Sequence, residues 1–241
     1  MATNSVQNIN TWLTQIHNEY KTAVSVDCVI FGYDEDALKI LVSRCDMPPF
    51  ENEQSLLGDL VRPEETTDEA AKRVLFAKTG FNDVFLEQVH AFSGKSRHPL
   101  GRVITVAYYS LIKIDDDHLS HIGNNDFLQW VPVNEVKSLA FDHFEIMHTC
   151  LNRMQKQIRE QPIGFELLPK KFSLLQLQRL YEVILNIQLD KRNFRRKLKA
   201  LGILKDLSEI QESVSHRPAS LYAFDDKIYE KKKNSGFSFE L

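Results

Sequence analysis

The sequence predicts an α+β protein in two parts. A strand-rich N-terminal domain is followed by a small C-terminal domain of two helices and a hairpin. Three observations carry this. Val24, Val26, Cys28 and Ile30 alternate with Ser25 and Asp27, the period-two pattern of a strand. Thr66 stands three residues ahead of Glu69, before an apolar helical stripe that stops at Gly80, so a capped helix lies among the strands. Beyond Gln161 the apolar spacing becomes helical and the charge changes sign: residues 161–241 hold 15 Lys/Arg against 10 Asp/Glu, and residues 1–160 hold 15 against 23.

In order, "NINTWLTQIHNEY" reads as an N-terminal helix over 8–20, with Trp12 as a packing or dimer contact. "TAVSVDCVIFGYDEDALKILVSRC" is a β-hairpin turning at "GYDEDA". "MPPFENEQ" is a Pro-rich loop, and "GDLVRPEETT" continues it into the capped helix, 68–79. Ala70, Ala71, Val74, Leu75 and Lys78 share one side of that helix. "NDVFLEQVHAFS" and "RVITVAYYSLIKI" are two further strands around the cation-rich loop "GKSRHPLGR", and a short strand surrounds Trp130. An amphipathic linker helix over 141–160 closes a first domain of residues 1–160.

In the second domain, Leu174, Leu177, Leu180, Tyr181 and Ile184 follow Ser173, a helix N-cap. After the short turn "NIQL", Asp190 caps a second helix with Phe194, Leu198 and Leu201 on one face, ended by Gly202. "ILKDLSEI" and "RPASLYAF" form a hairpin with a flexible tip. Helix, short turn, basic helix and hairpin is the order of a winged helix-turn-helix, over 161–226, leaving 227–241 as a tail.

No run long enough to span a membrane, about 18 apolar residues or more, occurs. The N-terminus lacks the pattern of a signal peptide, which points to the cytoplasm. Cys28, Cys45 and Cys150 are odd in number and far apart, so they read as reduced thiols rather than a disulfide framework or a zinc site. No cofactor and no metal site is expected.

The basic helix carries Lys191, Arg192, Arg195, Arg196, Lys197 and Lys199. Taken alone, such a run is a solvated helix face. Following a helix-turn signature, and with Asn193 near its N-terminus, it reads as a recognition helix for double-stranded DNA. Arg can pair with guanine and Asn with adenine in the major groove. The candidate DNA contacts are Ser173, Gln176, Lys191, Arg192, Asn193, Arg195, Arg196 and Lys199, with Arg217 at the hairpin tip reaching a minor groove or a phosphate. A homodimer on a palindromic operator is the arrangement that two-fold DNA readers adopt.

The segments "VDCVIFGYDEDALKILVSR", "GDLVRPEETTDEAAKRVL", "TGF", "RHPLGRVITVAYYSLI", "FELLPKKFSLLQLQRLYEVIL", "LDKRNFRRKL" and "RPASLYAF" together span roughly residues 22–225. In that order they resemble the Nudix-related transcriptional regulators, the NrtR-like group. The resemblance implies a Nudix-like mixed-sheet α/β/α sandwich followed by a C-terminal winged helix-turn-helix domain. It implies a small-molecule effector that controls operator affinity, ADP-ribose or a related nucleotide in NrtR-type members. The arabinose-responsive AraR branch of Bacteroidetes is also similar, and there the effector is a pentose sugar.

A hydrolytic Nudix motif reads G-x5-E-x7-R-E-U-x-E-E-x-G-U, U being bulky and aliphatic. Anchored on Arg73, Gly80 and Phe81, the three helix glutamates fall on Val74, Ala77 and Lys78, and Glu64 or Glu65 matches the first glutamate. Anchored on Gly58 and Glu64, they fall on Arg73, Phe76 and Ala77. Neither register supplies the carboxylates that gather Mg²⁺ on one helix face, so no catalytic residue is expected. A hydrolase would need acids from elsewhere, such as Glu51, Glu53 or Glu64. Lys78 reads either as a surface lysine or as a tethered ammonium standing in for the metal. Asp59 after Gly58, if turned inward, suits sugar hydroxyls and repels a pyrophosphate, which favours a sugar such as L-arabinose. The remaining candidate ligand contacts are Asp27, Arg44, Arg62 and Arg102, while His90 and His98 read as structural.

Overall fold

The computed structural model describes residues 21–82, 84–99, 101–115, 122, 127–212 and 218–234. The helix expected over 8–20, with Trp12, and the hairpin tip with Arg217 lie outside these residues.

The predicted hairpin is present as β1 (Ala23–Tyr33) and β2 (Leu38–Arg44), paired antiparallel with Phe31 opposite Ile40. That register leaves the first half of β1 without a partner on one side. β3 (Gln54–Ser55) joins β2, and β4 (Leu57–Leu60) fills the gap, pairing Ser25 with Leu60 through Cys28 with Leu57. The sequence reading of "GDL" as loop is therefore corrected: its backbone groups satisfy those of β1. On its other side β1 runs parallel to β6 (Val103–Lys113) over its whole length, and β5 (Glu87–Phe92) pairs with β6 around a bulge between Gln88 and His90. β7 (Leu128–Pro132) adds to β2 and completes a seven-stranded sheet.

Helices cover both faces. α1 (Thr67–Thr79) starts at the predicted capping box, Thr66 and Glu69 exchanging side-chain and backbone bonds, and ends at Gly80 with φ 74°. Its Ala70, Ala71, Val74 and Leu75 pack on Val26, Cys28 and Ile30. Lys78, expected on that side, is exposed. α2 (His143–Glu160) lies on the other face, packing Ile146, Met147 and Cys150 against Val29 and Phe31. Alternation ordinarily marks a half-buried strand, but here both faces of β1 are covered, so Asp27 points into the interior. All three cysteines are buried free thiols.

The second domain follows the predicted order. α3 (Leu174–Leu185) is capped by a Ser173–Gln176 box, and α4 (Lys191–Leu201) by Asp190, with Gly202 left-handed at its end. β8 (Phe172–Ser173), β9 (Leu204–Ile210) and β10 (Ser220–Phe224) form a three-stranded wing sheet. Residues expected to be a tail instead form α5 (Asp226–Lys233), because Asp225 caps it and Tyr229 packs on the core.

The domains share one apolar cluster running from β1 through Met154 and Ile158 of α2 to Leu177, Leu180, Tyr181 and Ile184 of α3. Gly164 sits at the junction, where a Cβ would lie 2.9 Å from Leu180 and 3.1 Å from Ile158. Gln155 donates to the carbonyl of Ile184 (2.9 Å), and Arg179 of α3 grips the β1–β2 turn through Glu35 O (2.8 Å) and Asp36 (2.5 Å).

Candidate functional site

The motif region around α1 is built for rigidity. Arg73 donates from Nε to Glu65 (2.9 Å), from one terminal nitrogen to Asp59 (2.8 Å), and from the other to Glu65 (2.7 Å) and Leu60 O (2.9 Å). Of the two glutamates compatible with the motif, Glu65 is thus the one that meets Arg73. The hydrogen bond from Arg73 holds the Glu65 carboxyl down at about 2. With Arg73 so placed, the three helix positions are Val74, buried in the core, Ala77, which has no donor atom, and Lys78, which faces solvent. Among the described residues no cluster of His, Cys, Asp or Glu is arranged to hold a metal ion.

Most of the candidate ligand residues are not brought together. Asp59 does not turn inward: its carboxylate binds Arg73 and the amide of Leu60 (2.8 Å) with half its side chain exposed. The reason is local, since a β4 residue next to Arg73 is neutralised there at little desolvation cost. Lys78, Arg44 and Arg62 are exposed. Arg102 ties the 93–102 loop together through Ser93 O (2.6 Å) and Gly94 O (3.0 Å).

Asp27 alone enters a polar cluster, beside the N-terminus of α2. It is 5% exposed, and His143 Nε2 lies 3.5 Å from its carboxylate. His143 Nδ1 accepts from the amide of Leu56 (3.0 Å), which leaves the ring proton on Nε2, the nitrogen on the Asp27 side. Gly58 lies against the same carboxylate. Any Cβ there would collide with Asp27 and come 2.9 Å from Val26 O. Burial pushes the Asp27 carboxyl up, against the pull of His143 and Arg97.

Arg97 makes a two-pronged pair with Asp142 (2.6 and 2.5 Å) and also donates to Thr105, whose hydroxyl bonds Ser25 (2.7 Å). Aromatic rings close round this cluster: Phe141 stacks on His98 (5.1 Å, 7°) and lies 4.6 Å from Phe50 and 5.1 Å from His143. Burial and the Arg97 cation keep the His98 imidazole below its ordinary range. Phe141 has φ 56°, a left-handed conformation that costs a bulky residue about 1–3 kcal/mol. Such strain, next to a buried acid, makes this cluster a candidate site.

Arg97, Asp142, His143 and Phe141 were not singled out by sequence. "FDHF" reads as the start of a helix, and Arg97 is one of several cations in its loop. Only the crossing of α2 over the 97–105 segment joins them. His98, read as structural, stacks at this site. The cluster holds two carboxyls against one guanidinium that is already paired, so it offers acceptors, one His donor and aromatic faces rather than a seat for an anion. On the opposite face, an open cleft of about 730 Å³ lies between α1 and the segment after Gly80, edged by Lys72, Phe76, Phe85 and Tyr108. Tyr108 donates to Asp68 (2.5 Å).

The second site is α4. Phe194, Leu198 and Leu201 are buried, each worth about 1.5–3 kcal/mol, and they fix which face turns outward. Lys191, Arg192, Asn193, Arg195, Arg196, Lys197 and Lys199 are all exposed. Arg196 donates to Asn193 Oδ1 (2.7 Å), so that amide is pre-oriented. Ser173 and Gln176 are corrected as side-chain contacts: Ser173 is 2% exposed, and each side chain is spent on the α3 cap.

Comparison with known proteins identifies both domains. Residues 21–150 match the NUDIX domain family, and residues 164–224 match the family described as the NrtR DNA-binding winged helix domain. An ADPR-responsive transcriptional repressor of Acinetobacter baylyi is 30% identical over 86% of this chain and 84% of its own length. NrtR of Shewanella oneidensis, crystallised with a 27mer DNA, superposes with a TM-score of 0.72 at 25% identity, covering 90% of this chain and 97% of that one. A MutT/nudix family protein from Enterococcus faecalis shares the fold at a TM-score of 0.66 and 23% identity, over 89% of this chain and 93% of that one.

Proposed function

The chain belongs to the NrtR family of Nudix-fused winged-helix regulators, and on that premise we propose that it is a cytoplasmic repressor, not an enzyme. A neutral sugar such as L-arabinose, bound at the Asp27 cluster, sets its operator affinity. The observation that carries the sugar is the composition of that cluster. Asp27 is buried and raised, Arg97 is consumed by Asp142, and four aromatic or imidazole rings surround them. Carboxyls accept from hydroxyls, and ring faces take the C–H face of a pyranose. A pyrophosphate would meet two acids there.

The effector signal runs along α2. Its N-terminus holds His143, with Asp142 just before it, at the cluster, and its second half packs Met154 and Ile158 into the winged-helix core. A ligand that prefers one setting of α2 shifts the population of operator-competent molecules only by its differential affinity. In a homodimer, two α4 helices meet the two halves of a palindromic operator.

A second reading, an ADP-ribose-like nucleotide, is favoured by the Acinetobacter relative, which responds to ADPR, and by the cleft where Lys72 lies near Phe76 and Phe85. Thermal shift separates the two. At about 100 times its Kd a ligand adds about 2.7 kcal/mol, or roughly 5–11 °C for a chain of this size. L-Arabinose is expected to produce that shift in the wild type and not in Asp27→Ala. A shift with ADP-ribose alone would transfer the assignment to the nucleotide. ADP-ribose turnover at ordinary enzyme rates with Mg²⁺ would overturn the non-enzymatic reading.

A further inference from the structure

We infer that α5 is part of the DNA-reading device, and that Lys232 is a positioning residue holding the C-terminal end of α4. This rests on α4 being the recognition helix.

α4 has reason to fray when free. Six cations lie within its 11 residues, and Arg192 with Arg196 and Arg195 with Lys199 repel at i, i+4 spacing. Lys191 and Arg192 also sit at the positive end of the helix dipole. At the N-terminus, Asp190 answers this by accepting from the amide of Asn193 (2.7 Å). At the other end, the Lys232 ammonium donates to the carbonyl of Leu201, one of those a helix leaves without a partner. A cation is favoured at that pole.

The residues around Lys232 are arranged for this contact. Lys231 and Lys233 are exposed, whereas Lys232 is half-buried. Gly202 stops α4 at φ 59°, and a Cβ there would come 3.0 Å from the Lys232 nitrogen, so the glycine also leaves room for the ammonium. α5 itself is anchored independently of Lys232. The amide of Asp225 donates to Ile203 O (2.9 Å), Asp225 caps Ile228 (3.0 Å), and Phe224 stacks on Phe165 at 4.4 Å with Tyr229 against it. The helix begins at residue 226, beyond the 164–224 match to the DNA-binding domain family.

The test uses the full chain and a duplex that the wild type selects from a randomised pool. Lys232→Met is expected to weaken binding about three- to tenfold, through loss of a charged bond to the helix end. Lys232→Arg should restore it, and Lys231→Met should leave it unchanged. The slope of log Kd against log salt should be the same in all four proteins, because a lost phosphate contact lowers it by about 0.9. Wild-type binding by Lys232→Met overturns the inference. So does a reduced slope, which would make Lys232 a phosphate contact. If Lys232→Met does not fold, Lys232→Gln, which lacks the charge, is read by the same two criteria. Failure of the wild type to select any duplex would overturn the recognition-helix reading as well.

Discussion

Replacing Asp27 by Asn removes one buried charge and almost nothing else. The amide is the same size, and its oxygen keeps the same place 3.5 Å from His143 Nε2, so the fold is expected to be retained. In the wild type, burial raises the folded-state pKa above the ordinary value of 3.8, and His143 and Arg97 offset this only in part. The sign follows directly. Between 3.8 and the raised pKa, the folded chain holds one more proton than the unfolded chain. The contribution of Asp27 to stability is therefore highest at low pH and falls as pH rises through that window, by up to about 1.36 kcal/mol per pH unit. Asn does not titrate, so the stability of the variant relative to wild type must climb over the same window and level off above it. Groups such as Glu65 titrate in both proteins and cancel. Urea unfolding in steps from about pH 4 to about pH 7, read as the difference between the two proteins, measures this. Parallel curves would refute the reasoning, since they would mean that His143 and Arg97 fully compensate the buried carboxylate.

Other outcomes follow from the same geometry. Gly58→Ala should cost about 1–3 kcal/mol, or roughly 2–12 °C in Tm, by driving a Cβ into Asp27, and it should abolish the effector-induced thermal shift. Arg192→Ala or Asn193→Ala should weaken binding to the selected duplex by about 1–3 kcal/mol in a gel-shift titration, with Tm unchanged, because both side chains are exposed. In Arg73→Met, Glu65 loses the partner that holds it at about 2. Its contribution, present at neutral pH and lost as pH falls from 4.5 toward that value, should shrink to what the Arg62 amide still supplies, and Tm should depend less on pH across that acid range. Gly164→Val should pry Leu180 from Ile158, detected as faster limited proteolysis near residues 161–168.

The winged helix was legible because its determinants are local. Ser173 and Asp190 as caps, Phe194, Leu198 and Leu201 at helical spacing, and Gly202 as the stop each act within a few residues of one another. The same holds for Thr66, Glu69 and Gly80 around α1. The tail was misread because α5 depends on distant partners. Phe165 and Leu201 lie some 60 and 30 residues before the groups they hold, Phe224 and Lys232.

By itself the sequence determined the order of elements, the loss of acids at Val74, Ala77 and Lys78, and the basic outer face of α4, since periodicity, capping and residue identity are properties of neighbours along the chain. Tertiary structure alone decided which polar side chains meet. Asp59 and Asp27 are both carboxylates near Gly58, yet Arg73 draws the first outward, while the covering of β1 by α2 carries the second inward to His143, 116 residues later. A buried charge is defined by what closes over it, and that depends on chain crossings rather than on spacing.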